Sequence, residues 1–334
     1  MRWIARRLAR CLLVVAIATT AGFVMLRLLP GDPLSQSIEQ RGRTPEARAA
    51  LRARYALDAS LMEQGAVYLS RVVRGDLGTS LIDGRPIAPD VARAAALSLQ
   101  LAVPALLGAA ALGLLLGSAR GWFADHRGIR AVFHAVTALT VLPEFMVALG
   151  LLLVFAVKVR WFPVGGVSDP IVAYTGDAGS RVLDRLHHLI LPAGSLALAW
   201  SAVVARQQAI ATQSARQSLA TRAALSRGVA PLSLWMRYGA RVALPSSVTT
   251  IGMMFPALVS GTIVAETIFS WPGLGRLIVL GIGTRDYPLV VGALLVTSTL
   301  LALASVATEL MLAWADPRTG LPARSDTRTA VLTS

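Results

Sequence analysis

The sequence predicts an all-α membrane protein with six transmembrane helices and both termini in the cytoplasm. Three observations predict it. Mean hydropathy is +0.62 and only 15% of the 334 residues are charged, a balance foreign to water-soluble domains. Six apolar runs come close to the ~20 residues that a helix needs to cross hydrocarbon. Arginines gather at alternate ends of those runs, as the positive-inside rule describes.

The runs cover residues 9–29, 95–118, 131–157, 189–208, 246–267 and 288–314. The first follows a short N-terminus, 1–8. It is long for the apolar part of a signal peptide and leads into "RLLPGDP" instead of a small-residue cleavage site, so it reads as a retained anchor. Segment 30–94 is then external and carries short helices. Thr44 as N-cap, Pro45 at the first helical position and Glu46 at the positive helix end predict a helix over 45–56. A second is expected over 60–73, before the glycines of "RGDLGTSL" and then Pro86 and Pro89 break the pattern. This segment reads equally as a packed cap over the helix ends and as a docking surface for a soluble partner. Residues 95–314 form a five-helix core that includes the connection 209–244, and 315–334 is a tail.

Orientation comes from the arginines. Arg2, Arg6, Arg7 and Arg10, then Arg120, Arg127 and Arg130, then Arg216, Arg222, Arg227, Arg237 and Arg241, then Arg318, Arg324 and Arg328 share one face with only Asp125, Asp316 and Asp326. That face is expected to be cytoplasmic.

Several function classes find no support. The formal charge of +14 suits arginine-flanked membrane helices, and no soluble domain displays a basic face for nucleic acid. Lys158, in "VKV", is the sole lysine, so there is no Walker motif, and any ATP and magnesium must be bound by another subunit. Cys11 alone excludes an intrachain disulfide and CxxC metal clusters. The histidines lack HExxH spacing, and the adjacent His187 and His188 do not share a helix face. Neither a catalytic residue, a bound cofactor nor a metal is expected.

Two connections and one acid stand out. "RQSLATRAALSRGVAPLSLWMRYGARVALP", 216–245, reads as helix, bend, helix, with Gly228 and Pro231 at the break. It is basic without a single acid and has an apolar side, so it suits anionic headgroups, with Trp235 as anchor, or a cleft on a protein partner. "ETIFSWPGLGRL", 266–277, ends the fifth run. Pro272, Gly273 and Gly275 interrupt the helix there, and Trp271 is expected at the outer interface, where amphipathic rings are favoured. Glu144 follows Pro143 inside the third run. An acid at that depth costs about 2.5–3.5 kcal/mol, so it either borders a wet translocation path or makes a structural hydrogen bond beside the proline.

The strings "RLLPGDP", "RGDLGTS", "LPEF", "HLILPA", "ETIFSWPGLGRL", "RDYPLV" and "DPR" run in order along nearly the whole chain. With them the sequence resembles the permease subunits of ABC importers, in the dipeptide/oligopeptide branch that also includes nickel permeases. The resemblance implies the type I ABC importer permease fold in a bacterial inner membrane. It also implies a second homologous permease, two ABC ATPases that bind ATP, and a periplasmic or lipid-anchored substrate-binding protein. The cargo implied is a peptide; nickel or another small solute is the alternative. A secondary transporter driven by an ion gradient is a further rival, but no internal repeat supports it.

In that family the connection between the fourth and fifth spans carries the EAA motif, whose helix docks on the ATPase. By resemblance its glycine is Gly228, its second position Ala224, and Ala223 stands where other branches have Glu. Arg227 matches the basic residue favoured before the glycine, and Arg222 and Val229 flank the motif. The run before Ala224 departs from the family pattern, and the distance to Pro245 is one residue short. The same resemblance puts Glu266, Trp271, Pro272, Gly273 and Gly275 beside the external gate and near the binding protein.

Overall fold

The computed structural model describes residues 2–28 and 60–315. The expected helix over 45–56 and the tail 316–334 lie outside the described residues. Twelve α-helices are described: α1 (Arg2–Leu28), α2 (Leu61–Val73), α3 (Ala88–Trp122), α4 (Arg127–Ala138), α5 (Glu144–Leu151), α6 (Pro170–Thr175), α7 (Ala178–Gln217), α8 (Leu219–Ser226), α9 (Pro231–Leu234), α10 (Arg241–Ile268), α11 (Leu274–Gly283) and α12 (Tyr287–Ala315). Among the described residues four stretches are long and apolar enough to cross a membrane as they stand: α3, α7, the run from α9 through α10, and α12.

The third expected span differs from its prediction. Instead of one helix over 131–157, α4 and its 3₁₀ extension to Val141 meet α5 at an angle of 117°. The cause is local. Leu142 adopts an extended backbone ahead of Pro143, as residues before proline prefer, and Pro143 has no N–H with which to continue the helix. Beyond α5, Leu152–Lys158 is wound as a π-helix, and a Val159 N–H to Val154 carbonyl bond of 2.9 Å closes it.

Helix directions follow from close approaches. A Cβ at Gly108 would lie 2.9 Å from the Cβ of Ala197, and one at Gly113 would lie 2.5 Å from that of Val204. Gly117 and Gly121 press likewise on the backbones of Ala205 and Ala209. Both series ascend, so α3 and α7 run parallel, with glycine letting the backbones touch as small residues do in membrane helices. Residues 123–177 therefore return the chain to the end of the bundle at which α3 begins. Contacts of Ser247 with Gln208 and of Glu266 with Ser98 set α10 antiparallel to both. The Thr308 hydroxyl donates to the Gly252 carbonyl at 2.6 Å and so sets α12 antiparallel to α10. Cys11 meets Ala302 and Gly22 meets Leu294, so α1 runs against α12.

Before α3, Ser60 caps α2 through a complete capping box with Glu63, consistent with the helix expected over 60–73. "RGDLGTSL" leaves helix as expected, and its turn packs Leu81 and Ile87 against Leu274, Tyr287 and Val290. That cluster sits at the end of the bundle that holds the start of α12.

Candidate functional site

Two connections at opposite ends of α10 carry the residues singled out in the sequence. The first is an elbow over residues 217–245. Ser218 ends α7 and caps α8, its hydroxyl accepting from the Thr221 N–H, while the Thr221 hydroxyl donates to the Ala215 carbonyl at 2.7 Å. These bonds fix the corner between the two helices. Ala224 is fully buried. Gly228 takes φ of 75°, the left-handed conformation that favours glycine, and its N–H donates to Leu225 while that of Val229 donates to Ala224. Pro231 then opens α9 at its first position.

The rest of the elbow braces this corner. The Trp235 indole donates to the Ser118 carbonyl at 3.3 Å and its ring lies 5.5 Å from that of Phe123, so Trp235 anchors on its own chain instead of on headgroups. Gly239 lies flat against Trp122. Gln208, buried in α7, donates to the Ala240 carbonyl at 3.2 Å and accepts from Ser247 at 2.5 Å. What faces outward is a ridge of Arg222, Ala223, Arg227 and Gly228 with the leucines Leu219 (82% exposed), Leu225 and Leu232; Val229 is half-buried. The arrangement can insert an apolar and cationic ridge into a complementary cleft.

The second connection is the turn after α10. Glu266 is completely buried: Ser98 Oγ donates to it at 2.6 Å and the Arg276 N–H at 3.1 Å. Ser98 Oγ in turn accepts the Leu274 N–H at 2.8 Å. Gly273 lies directly on the Glu266 carboxylate, and a Cβ there would collide with it; Gly275 abuts Ile263 in the same way. Trp271 corrects the expectation for it. It is wholly buried, its indole donating to the Leu97 carbonyl at 2.9 Å, because Ser270 at φ 54° reverses the chain and turns the ring inward against α3. Of this group only Pro272 is exposed. The Gly166 N–H donates to the Phe269 carbonyl and clamps the turn from the other side.

A neighbouring link was not read from the sequence. Asp286, just before α12, is buried, accepts from the Ser80 hydroxyl, and accepts the Leu81 N–H at 3.1 Å, tying "RGDLGTS" to "RDYPLV". Burial pushes the Asp286 carboxyl above its ordinary value, and the Ser80 and Leu81 hydrogen bonds only partly oppose this. Ser98, Gln208 and Asp286 share one available signal: a polar residue within or bordering an apolar run must find a partner.

Glu144 stands at the start of α5, half-buried, facing Trp200 of α7 and the backbone of Gly261 in α10. It joins neither connection directly. His187 donates to the Trp161 carbonyl at 2.8 Å and His188 lies 3.2 Å from Asp184, so each serves the N-terminal part of α7. Among the described residues no group of His, Cys, Asp and Glu has the arrangement of a metal site.

Residues 109–321 match the family described as binding-protein-dependent transport system inner membrane component. The chain is 31% identical to the di/tripeptide transport system permease protein of Pseudomonas aeruginosa, over 95% of this chain and 98% of the relative. It is also 31% identical to the dipeptide transport system permease protein of Escherichia coli K12, with the same coverage, and 28% identical to an oligopeptide transport system permease protein of Bacillus subtilis over 95% of this chain and 98% of that one. The chain belongs to the binding-protein-dependent transport system inner membrane component family.

Proposed function

We propose that this chain is the permease subunit of an ATP-driven importer of peptides in a bacterial inner membrane. It crosses six times with both termini cytoplasmic. The parallel pairing of α3 with α7 and the antiparallel pairing of α1 with α12 support that count. A second, homologous permease completes the pathway, two ABC ATPases dock on the cytoplasmic side, and a periplasmic or lipid-anchored binding protein delivers the cargo. The relatives named for peptide transport support peptides as that cargo.

The observation that carries the reading is the elbow: Ala224 and Gly228 build its corner, and the exposed Arg222 and Arg227 stand out from it beside Leu225 with no carboxylate partner among the described residues. An ATPase cleft receives this ridge, and ATP binding then shifts the permease pair between two conformations because the ATPase dimer binds one of them better. Glu144 borders the path and meets the cationic or amide part of the cargo.

The test is reconstitution of the assembled transporter in vesicles. Dipeptide uptake is expected to need ATP, and Arg227→Glu is expected to abolish co-purification of the ATPases while the permease still reaches the membrane. Uphill uptake by this chain alone overturns the reading. Normal uptake by both Glu144→Gln and Glu144→Ala removes Glu144 from the path.

A further inference from the structure

Where the elbow passes into α10, two adjacent glutamines of α7 meet two adjacent serines of α10. The Gln207 Nε2 donates to the Ser246 hydroxyl, and the Ser247 hydroxyl donates to the Gln208 Oε1 at 2.5 Å. The Gln208 Nε2 donates to the carbonyl of Ala240, the last residue before α10, at 3.2 Å, and lies 3.4 Å from the Thr212 hydroxyl. Gln208 is 1% exposed, and Thr212 and Ser247 are wholly buried. Each of these buried polar groups therefore has its partner inside the protein, and a satisfied network holds two helices in one fixed register, where apolar packing alone tolerates sliding.

The backbone at this junction is a poor lever. Trp235–Ala240 is wound as a π-helix, closed by the Arg241 N–H on the Met236 carbonyl. Pro245 lies inside α10 and lacks the N–H that the Arg241 carbonyl would otherwise receive. Two such defects within a few residues leave the joint between elbow and span easy to bend, and a soft joint absorbs a push instead of passing it on. Gln208 crosses the joint: it holds Ala240 before Pro245 and Ser247 after it. The other limb of the elbow is fastened to the same helix, since the Thr221 hydroxyl donates to the Ala215 carbonyl of α7.

Taking the chain as the permease of an ATP-driven importer, we infer that Gln207, Gln208, Ser246 and Ser247 form a clasp that makes the elbow, α7 and α10 move as one body. A displacement of the elbow then reaches the far end of α10 instead of being lost in the bend at Pro245. The four side chains are positioning residues, acting through the elbow. Gln208 carries most of the effect because it alone bonds on both sides of the joint.

The test measures peptide uptake and ATP hydrolysis together in vesicles that hold the assembled transporter. A residue needed only for folding lowers the two in proportion, so their ratio stays constant. Gln208→Leu fills the same space without the bonds and is expected to lower the peptide taken up per ATP about ten-fold while the ATPases still co-purify. Ser247→Ala leaves Gln208 on Ala240 and is expected to lose less, and the two changes together are expected to do no more than Gln208→Leu alone, because they break the same link. An unchanged ratio in Gln208→Leu overturns the clasp. If that variant fails to assemble, Gln207→Cys with Ser246→Cys decides, in a Cys11→Ser background and bridged by a short bis-thiol linker, with each single cysteine carrying the same reagent as control. Uptake is expected to survive the bridge, because the two helices do not part during the cycle; loss of uptake in the bridged protein alone overturns the inference. Uptake by the unaltered transporter that needs no ATP overturns the importer reading itself, which an unchanged ratio does not.

Discussion

The elbow over 217–245 and the turn over 266–286 are both breaks in helix built around glycine, yet they spend their side chains in opposite directions. In the elbow the small residues go inward and the charged and large ones outward: Ala224 is buried while Arg222, Leu225 and Arg227 stand free. In the turn after α10 the acid and the aromatic go inward. Glu266 and Trp271 are completely buried, and Gly273 is small so that the chain can lie on the carboxylate. Both segments looked like functional surfaces in the sequence, and only one of them presents its marked residues. A chemically conspicuous motif is as often a fastening as a contact.

The sharpest way to break this contrast is at Glu266. Glu266→Ala strips the partners from Ser98 Oγ and the Arg276 N–H and leaves a cavity under the turn, so a loss of about 3 kcal/mol or more is expected, seen as loss of folded protein in the membrane and a sharply lowered Tm in detergent. Glu266→Gln keeps the shape and is expected to fall between the two. If Glu266→Ala is as stable as the unaltered protein and only transport suffers, the turn is a contact surface after all.

The elbow predicts the reverse pattern. Arg227→Glu is expected to leave Tm unchanged and to weaken ATPase association at least about ten-fold, the scale of a charge reversal at a docked cation. Gly228→Ala forces a side chain into the left-handed region and costs about 1 kcal/mol of local stability, with a matching partial loss of coupling. A large drop in Tm for Arg227→Glu sinks the distinction between the two regions.

Asp286 sharpens the comparison through pH. Its folded-state pKa is raised by burial, so the folded protein binds the proton more tightly than the unfolded chain, and stability from this group falls as pH rises from about 3.8 through the raised value. Asp286→Asn is expected to remove that component, so its Tm declines less steeply with pH than that of the unaltered protein; parallel profiles would contradict it. The smallest effect is expected at Trp235→Phe, which keeps the packing on Phe123 and loses the bond to Ser118, about 1 kcal/mol in thermal denaturation.

Much of the architecture was legible. The expected runs correspond to α1, α3, α7, α10 and α12 because long apolar stretches have few alternatives to helix. The bend at Gly228 and the helix over 60–73 were also legible, since glycine and proline act locally; the capping box of Ser60 with Glu63 was seen only in the structure. The 117° break in the third run was underestimated: 131–157 was expected to run as one span through Pro143, but how far a chain turns at a proline depends on what α4 and α5 pack against. Trp271 was misplaced for the same reason. An amphipathic ring at a helix end is equally content at a headgroup interface or with its N–H on a buried carbonyl, and the Leu97 carbonyl that receives it is 174 residues away.

The sequence by itself determined that the chain is helical and apolar, which stretches are long enough for a bilayer, where the backbone must break, and that its sole lysine, Lys158, follows no glycine. These are properties of composition and of neighbours within a few residues. Only the tertiary structure decided which residues of each break face inward, because that depends on partners distant in the chain: Ser98 for Glu266, Ser80 for Asp286, Ser118 for Trp235. A buried polar group must be matched by a partner brought to it by packing, and no local pattern specifies which partner arrives.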